Sequence, residues 1–178
     1  MNIIADFEKV SFQIFKESCE KLNLYLSTDE IKNVYDKIKI PKRATKGSAG
    51  YDFYSPFEIS IKENNSFVFP TGIRCKMSEG WVLTLYPRSG FGFKTGMSLA
   101  NTVGIIDQDY YYSDNEGHIL VKILNDSCIG KELCIKSGEA FCQGIFLPFG
   151  IAENDNTNQS RNGGFGSTNI SEKAENIK

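Results

Sequence analysis

The chain is poor in the residues that build most metal centres and disulfide frameworks. His118 is its only histidine, which excludes sites that need two or three imidazoles from one chain, such as most catalytic zinc centres. Its five cysteines are an odd number without a C-x-x-C pair, a pattern that argues against a disulfide framework and against a zinc site. We therefore interpret the cysteines as reduced core residues and expect a carboxylate to provide any catalytic base.

Long apolar runs and an excess of positive charge are also missing. No run of about 18 apolar residues offers a membrane span, and the first residues, MNIIADFEK, lack the basic and apolar regions of a secretory signal. A net charge of −2 gives no basic surface for long nucleic acid, so a small anion is the better ligand. We expect a cytoplasmic protein that binds neither membranes nor long nucleic acid.

The N-terminal part of the chain has the pattern of two helices. With 178 residues, the chain is long enough for one ordinary domain with appendages at both ends. Apolar residues recur at helical spacing over residues 3–24, and a capping box at 27–30 precedes a second helical face that ends at Ile38. We predict two short helices before Pro41, which form an N-terminal extension over residues 1–38.

Short β-like segments follow from Phe57 onward, separated by Gly, Pro, Asn and Ser. They are seven in number and lie at residues 57–61, 66–69, 73–77, 81–86, 119–124, 132–136 and 141–146. This spacing predicts an all-β fold, a compact barrel or sandwich, in a domain over residues 39–152. Residues 153–178 carry almost no apolar content, so we predict a mobile arm there.

The clearest candidate for chemistry is Asp107, in the segment NTVGIIDQDY that begins at Asn101. Apolar Ile105 and Ile106 anchor it at the end of a predicted strand, where partial burial keeps a carboxylate poised as a general base. An ordinary turn aspartate is the alternative, and this segment taken alone favours that alternative.

The turn at residues 87–90 is a candidate anion site. Ser89 and the N–H groups near Gly90 suit phosphate oxygens, and Arg88 adds a forked donor. A plain β-turn is the alternative. Arginine is scarce, with four in the chain against sixteen lysines, so its presence in this segment slightly favours the anion site.

A second Gly-rich segment lies in the polar tail, at residues 161–168. Its glycine N–H groups and Arg161 suit an anion, and Phe165 suits stacking on a flat base. A disordered linker is the alternative that composition favours. The isolated ring argues against it, because a linker has no use for an exposed aromatic side chain.

Taken in order, these segments resemble the five motifs of the trimeric dUTPase family. The motifs are AGYDF at residues 49–53, PRSG at 87–90, GIIDQDY at 104–110, SGEAFCQ at 137–143 and RNGGFGST at 161–168. Five motifs in this order, over residues 39–169, are far more specific than any one of them. The resemblance implies a dUTPase-like β-clip or jelly-roll-type barrel, and an enzyme that hydrolyses dUTP to dUMP and pyrophosphate.

The resemblance also implies roles for the third motif. Asp107 activates the water that attacks the α-phosphorus, and the ring of Tyr110 packs under the deoxyribose and leaves no room for a 2′-hydroxyl. The uracil edge pairs with backbone groups of a hairpin around residues 104–110, with Asn101 nearby. The contacts expected there are made by Asn101, Gly104, Ile105 and Ile106. The closeness of this hairpin rejects the methyl group of thymine.

The other motifs are expected to hold the triphosphate and its metal. The phosphates contact Arg88, Ser89, Gly90 and Gln143, and Asp52 orients a water on a Mg²⁺ ion that the triphosphate chelates. The arm closes over the γ-phosphate and the uracil face through Arg161, Gly164, Phe165, Gly166, Ser167 and Thr168. In this family the arm reaches over a neighbouring subunit's site, which implies a homotrimer with three shared active sites.

Three features depart from the family pattern. Ala140 stands where the fourth motif usually has an arginine, so an ion pair made there is lost or replaced. Residues 111–118 lengthen the turn after Tyr110, as in some bacterial and phage relatives, and an origin in a phage or virus would make the host cytoplasm the location. Residues 1–38 do not map onto the family; packing on the trimer surface is their simpler role, and binding a protein partner is a weaker hypothesis.

Two other functions stay open. A dCTP deaminase shares this fold but is expected to use a glutamate base and to lack the arm in this form, so Asp107 and Tyr110 favour dUTP hydrolysis. A non-catalytic nucleotide sensor or regulatory partner is the second alternative. Asp107, Gln143 and Arg161 favour catalysis over it.

Overall fold

The fold is built from short antiparallel strands with three helices at its periphery. The computed structural model describes residues 2–126 and 131–157. Its strands are β1 Ala5–Lys9, β2 Lys42–Arg43, β3 Tyr51–Tyr54, β4 Ile59–Ile61, β5 Ser66–Pro70, β6 Ile73–Met77, β7 Trp81–Pro87, β8 Met97–Leu99, β9 Gly104–Ile106, β10 Leu120–Asn125, β11 Leu133–Ile135 and β12 Ala140–Pro148. Its helices are α1 Phe12–Lys21, α2 Thr28–Lys37 and α3 Ser89–Thr95, and a 3-10 turn covers Gln108–Tyr112. The predicted all-β class is confirmed.

Four small sheets enclose the core. The largest has five strands in the order β2-β3-β12-β7-β9, so β12 lies at its centre; a second has the order β5-β10-β8, and β1 and β11 pair with β6 and β4. Side chains alternate along these strands, so that Leu83 and Leu85 of β7 are buried on one face. Phe69 and Phe141 stack in the core with ring centroids 4.6 Å apart.

One sequence prediction at the N-terminus is wrong. Residues 5–9 form strand β1 instead of the start of a helix, and Phe7 lies opposite Cys75 of β6. Apolar residues at positions 3, 5 and 7 also fit a period of two, and the free edge of β6 selects that period by supplying a ladder of hydrogen bonds. Phe7 then packs between Tyr51 and Phe146, with centroids 5.3 and 5.6 Å away.

The two predicted helices are present and pack on the barrel. Ser27 and Glu30 form the predicted capping box of α2, and Ser11 caps α1 by accepting from the Ile14 N–H. Phe15 of α1 is fully buried and stacks on Phe57, with centroids 6.2 Å apart and planes within 8°. The helices therefore share one hydrophobic core with the strands.

Part of the predicted C-terminal arm is described and most of it is not. Residues 153–157 are exposed, whereas the fifth motif at 161–168 lies outside the described residues. The domain boundaries after residues 38 and 152 stay predictions. Among residues 2–126 and 131–157, no helix is long and apolar enough to cross a membrane.

Candidate active site

Three of the predicted motifs meet where β3, β12 and the end of β7 lie side by side. Gln143 of β12 is opposite Asp52 of β3 on one side and opposite Tyr86 of β7 on the other. This register creates a cavity of about 370 Å³, which we call the Arg88 pocket. It is lined by Ala44, Ser48, Ala49, Gly50, Asp52, Arg88, Ser89, Gln143 and Ile145.

An ion pair spans the Arg88 pocket. Arg88 Nε lies 3.2 Å from Asp52 Oδ1, and the side chains of Arg88 and Asp52 are 41% and 14% exposed. Arg88 Nη1 also donates to the Ala140 carbonyl at 3.4 Å. A guanidinium carries five N–H donors in a rigid fork. These two contacts therefore orient Arg88 and use only part of its capacity to donate hydrogen bonds.

The contact with Ala140 bears on the missing arginine of the fourth motif. Ala140 is buried, and the register of β12 against β3 shifts between Ala140 and Cys142, as in a β-bulge. The backbone at the bulge thus accepts a hydrogen bond from Arg88 of the second motif. The main-chain carbonyl of Ala140 therefore joins the second and fourth motifs here, with no part played by the side chain at position 140.

The absence of a side chain at Gly50 leaves room for the carboxamide of Gln143. A Cβ atom at Gly50 would lie 2.5 Å from Gln143 Oε1, closer than such atoms approach. Gln143 Nε2 in turn donates to the Pro87 carbonyl at 3.3 Å. Gly50 belongs to the first motif, but no local pattern indicates that its missing side chain makes room for Gln143.

The predicted turn at residues 87–90 is the start of a helix. Arg88 is the residue before α3, and the N–H groups of Phe91 and Gly92 both donate to its carbonyl. Ser89 and Gly90 are exposed in the first turn, where backbone N–H groups have no partner within the helix. Glycines at positions 90 and 92 hid this helix in the sequence, because glycine has a low helix propensity.

A second, smaller pocket lies beside the connection from β8 to β9, two strands of different sheets, and we call it the hairpin pocket after the hairpin expected at the third motif. Its cavity is about 230 Å³, and its lining includes Leu85, Leu99, Ala100, Asn101, Gly104, Ile105, Ile106, Leu120, Val121 and Lys122. Gly104 sits directly against Leu85, since a Cβ at Gly104 would lie 3.1 Å from Leu85 Cβ. Ile106 points into the core, and Ile105 is 54% exposed.

Asp107 and Tyr110 continue from the hairpin pocket. Asp107 is half-buried and immediately follows β9, and its carbonyl accepts from the Tyr110 N–H at 3.2 Å. Tyr110 is buried; its hydroxyl donates to the His118 carbonyl and accepts from Asn115 Nδ2, both at 2.8 Å. The lengthened turn at 111–118 therefore holds the Tyr110 side chain in place.

The predicted site residues thus form two groups within one chain. Asp52, Arg88, Ser89 and Gln143 line the Arg88 pocket. The residues expected near uracil line the hairpin pocket, namely Asn101, Gly104, Ile105 and Ile106. The two pockets share no lining residue, and Arg161, Gly164, Phe165, Gly166, Ser167 and Thr168 lie outside the described residues.

The family model that describes dUTPase matches residues 36–171. The chain belongs to the dUTPase family. A deoxyuridine 5′-triphosphate nucleotidohydrolase of Lactococcus lactis is 42% identical over 134 residues, which are 74% of this chain and 88% of the relative. One from Finegoldia magna is 35% identical over 136 residues, which are 72% of this chain and 90% of the relative.

Solved dUTPase structures share the fold. A crystal structure of dUTPase from Streptococcus mutans has a TM-score of 0.62 at 32% identity and covers 83% of this chain and 98% of that one. A dUTPase from phage phi11 of S. aureus has a TM-score of 0.60 at 18% identity and covers 89% and 98%. The family and its dUTPase fold, inferred from five short motifs, are confirmed, and with them the assignment to a family of nucleotide-hydrolysing enzymes.

Proposed function

We propose that this chain hydrolyses dUTP to dUMP and pyrophosphate, with Asp107 as the general base toward the attacking water. Such an activity limits the incorporation of uracil into DNA and supplies dUMP for thymidylate synthesis. The observation that carries the proposal is the position of Asp107: half-buried, directly after the short edge strand β9 and next to the hairpin pocket. A carboxylate fixed in this way suits deprotonation of a water near the α-phosphorus.

The hairpin pocket suits the uracil base. Strand β9 ends the five-stranded sheet and pairs with β7 on one side, so the other side of its backbone presents N–H and C=O groups to a ligand. Uracil carries an N–H donor and C=O acceptors on its edge. These groups can form hydrogen bonds with the open side of β9, as a neighbouring strand would. The close packing of Gly104 on Leu85 keeps the pocket small, which favours uracil over the methylated base thymine.

The Arg88 pocket suits the phosphates. Arg88 offers a charged fork, and Ser89 and Gln143 add neutral donors around the same cavity, with the backbone N–H of Gly90 as the next donor along the chain. Phosphoryl transfer depends chiefly on positioning and on stabilising charge, and such a set of donors supplies both. Arg161 and the loop from Gly164 to Thr168 complete the proposed cradle, with Phe165 on the face of uracil.

The carboxylate of Asp52 fits a Mg²⁺ ion that arrives with the nucleotide. Among residues 2–126 and 131–157, no group of three or more His, Cys, Asp or Glu side chains could hold a metal ion. Protein-bound Mg²⁺ commonly uses substrate phosphates plus one or two carboxylates and keeps several waters. Asp52 would orient one such water, and the ion would neutralise charge on the phosphates. The phage phi11 dUTPase is described with a structural Mg(II) ion.

The separation of the two pockets supports a homotrimer as the working form. Because they share no lining residue, a complete site is built most directly from the hairpin pocket of one subunit and the Arg88 pocket of another. Exposed apolar side chains after the centre of β12, at Leu147, Phe149 and Ile151, supply surface for such contacts. The C-terminal arm would then reach over a neighbouring subunit's site.

Pyrophosphate release from dUTP, dCTP, dTTP and UTP, each with and without Mg²⁺, tests the proposal. We expect release from dUTP with Mg²⁺ at least 100-fold faster than from the other three, because a site that pairs with polar edges rejects wrong groups by factors of that order or more. The same preparation should have three times the chain mass by light scattering. Binding of dUTP without hydrolysis would indicate a nucleotide sensor, and release from dCTP alone would contradict the assignment.

Substitution Gly50→Ala tests the assignment of the Arg88 pocket to the phosphates. The new Cβ displaces the Gln143 carboxamide, so we expect KM for dUTP to rise about tenfold, the effect of losing roughly one hydrogen bond of about 1.4 kcal/mol. Steady-state kinetics measure this change. Gly47→Ala is the matched control, since a Cβ at Gly47 meets nothing within 4 Å; equal kinetics in the two variants would contradict the assignment.

A further inference from the structure

The loop after the third motif is tied to the N-terminal helix α1, which the family motifs do not include. The loop covers residues 111–118 and connects the 3-10 turn, which begins directly after Asp107, to strand β10. Its path is narrowly defined, because Glu116 and Gly117 both have positive φ, and a Cβ at Gly117 would lie 2.6 Å from Tyr111 Cα. We call it the 111–118 loop.

The strongest tie runs through His118. This side chain is fully buried; its Nε2 accepts from the Gly72 N–H at 2.8 Å, and its Nδ1 lies 2.9 Å from Ser18 Oγ on α1. Because Nε2 is an acceptor in a neutral ring, Nδ1 carries the proton and donates to Ser18. The ring also packs on Phe15 of α1, with centroids 6.2 Å apart.

A second tie joins Glu116 to the start of α1. Glu116 Oε2 accepts from the Ser11 N–H at 2.7 Å, where a carboxylate is favoured by the positive end of the helix dipole. Arg74 Nη1 lies 3.9 Å from the same oxygen. Glu116 thus fastens the tip of the 111–118 loop to the first turn of α1.

A third tie fastens Tyr111 to strand β1. The Tyr111 hydroxyl donates to Glu8 Oε2 at 2.9 Å, and the Arg74 guanidinium lies over the Tyr111 ring at 4.6 Å. Arg74 also pairs with Glu8 at 2.7 Å. Both ends of the 111–118 loop and its tip are therefore held by residues that precede the first motif.

We propose that α1 positions the 111–118 loop and, through it, the 3-10 turn next to Asp107. It acts chiefly through the contact between Ser18 and His118. The path is short: Ser18 holds the His118 ring, and the His118 carbonyl accepts from the hydroxyl of Tyr110. Tyr110 lies in the 3-10 turn that Asp107 directly precedes, and the Tyr110 N–H donates to the Asp107 carbonyl. Ser18 and His118 are positioning residues, and the inference rests on the proposed role of Asp107.

Ser18→Ala is the decisive variant, with Tyr35→Phe as its matched control. Ser18→Ala leaves the buried Nδ1–H of His118 without its acceptor, so the loop loosens. Tyr35→Phe also removes one hydrogen bond from the helical pair, to the Val10 carbonyl at 2.7 Å, but that bond joins two residues outside the 111–118 loop. Ser18→Thr keeps a hydroxyl at position 18 and should restore parental behaviour.

We expect Ser18→Ala to lower kcat for dUTP about tenfold with KM changed less than about twofold, because small displacements of a catalytic group cost rate more than binding. Hydrogen–deuterium exchange should accelerate over residues 108–118 in Ser18→Ala and stay parental in Tyr35→Phe and Ser18→Thr. Parental kcat and parental exchange in Ser18→Ala would overturn the inference.

The two proposals fail in different ways. If the parent chain does not hydrolyse dUTP, the proposed function falls, and the exchange measurement alone still decides whether α1 holds the 111–118 loop. If the parent is active and Tyr35→Phe lowers kcat as much as Ser18→Ala does, α1 acts through general stability and the positioning role is overturned.

Discussion

Replacing Asp107 with asparagine is expected to reduce dUTP turnover by about 10³-fold, within the range that positioned general bases contribute. The asparagine side chain has the same shape but cannot accept a proton from water, so the loss falls on kcat. Affinity for dUTP should stay within about threefold, because the uracil ring and the phosphates are held by other groups in the hairpin and Arg88 pockets. Single-turnover kinetics and equilibrium binding separate these two quantities.

Asp109→Asn is the matched control for this experiment. Asp109 lies two residues after Asp107, inside the 3-10 turn that Asp107 precedes, and is exposed, so the substitution removes the same charge from a neighbouring position. We expect its turnover within about threefold of the parent, the scale of a surface electrostatic change. Turnover of Asp107→Asn close to that of Asp109→Asn would show that another group activates the water.

The free energy of unfolding should depend on pH through His118. Burial lowers the pKa of His118 from 6.5 to about 4, with a smaller opposing effect from Glu116. The folded state therefore favours the neutral ring, and the stabilisation is complete above pH 6.5 and lost as the pH falls from 6.5 to 4. The difference of about 2.5 pH units corresponds to about 3 kcal/mol at 1.36 kcal/mol per unit.

Two measurements check this expectation. His118 is the only histidine, so its ring gives a single set of NMR signals, and these should titrate with a midpoint near pH 4 and be those of a neutral imidazole at pH 6.5. Urea unfolding of the parent and of His118→Gln should show a smaller pH dependence in the variant between pH 4 and 6.5. Both proteins are compared at one fixed concentration, because the proposed trimer would make the stability depend on concentration. A titration of the ring near pH 6.5 would contradict the buried, hydrogen-bonded arrangement.

The seven predicted β-like segments correspond to β4 to β7 and β10 to β12, whereas local pattern did not reveal β1, β2, β3 or β8. β7 has seven residues, of which the central three are buried, and its bounds were predicted within one residue. β9 has three residues, Gly104 to Ile106, which is too short for a period of two to be seen. β1 was misassigned because helical spacing and strand alternation both fit its few apolar residues, and only pairing with a strand far along the chain decided between them.

Motif resemblance predicted residues for the candidate site but not their arrangement. Asp52, Arg88 and Gln143 stay predicted site residues, and their proximity depends on the register of β12 against β3 and β7. No local pattern encodes such a register, because it is set by which faces of distant strands are buried. The role of Ala140 was hidden for the same reason, since its contribution to the site is a carbonyl at a bulge.

The position of β12 also has a consequence for biosynthesis. In the described chain it is the last strand in sequence and the central strand of the largest sheet, so β3 and β7 emerge from the ribosome well before the strand that separates them. Until residues 140–148 are released, both strands expose unpaired edges toward the missing centre, and such edges invite pairing with other chains. The five-stranded sheet can therefore close only after residues 140–148 have been synthesised, and a nascent chain halted before residue 140 would be prone to aggregate.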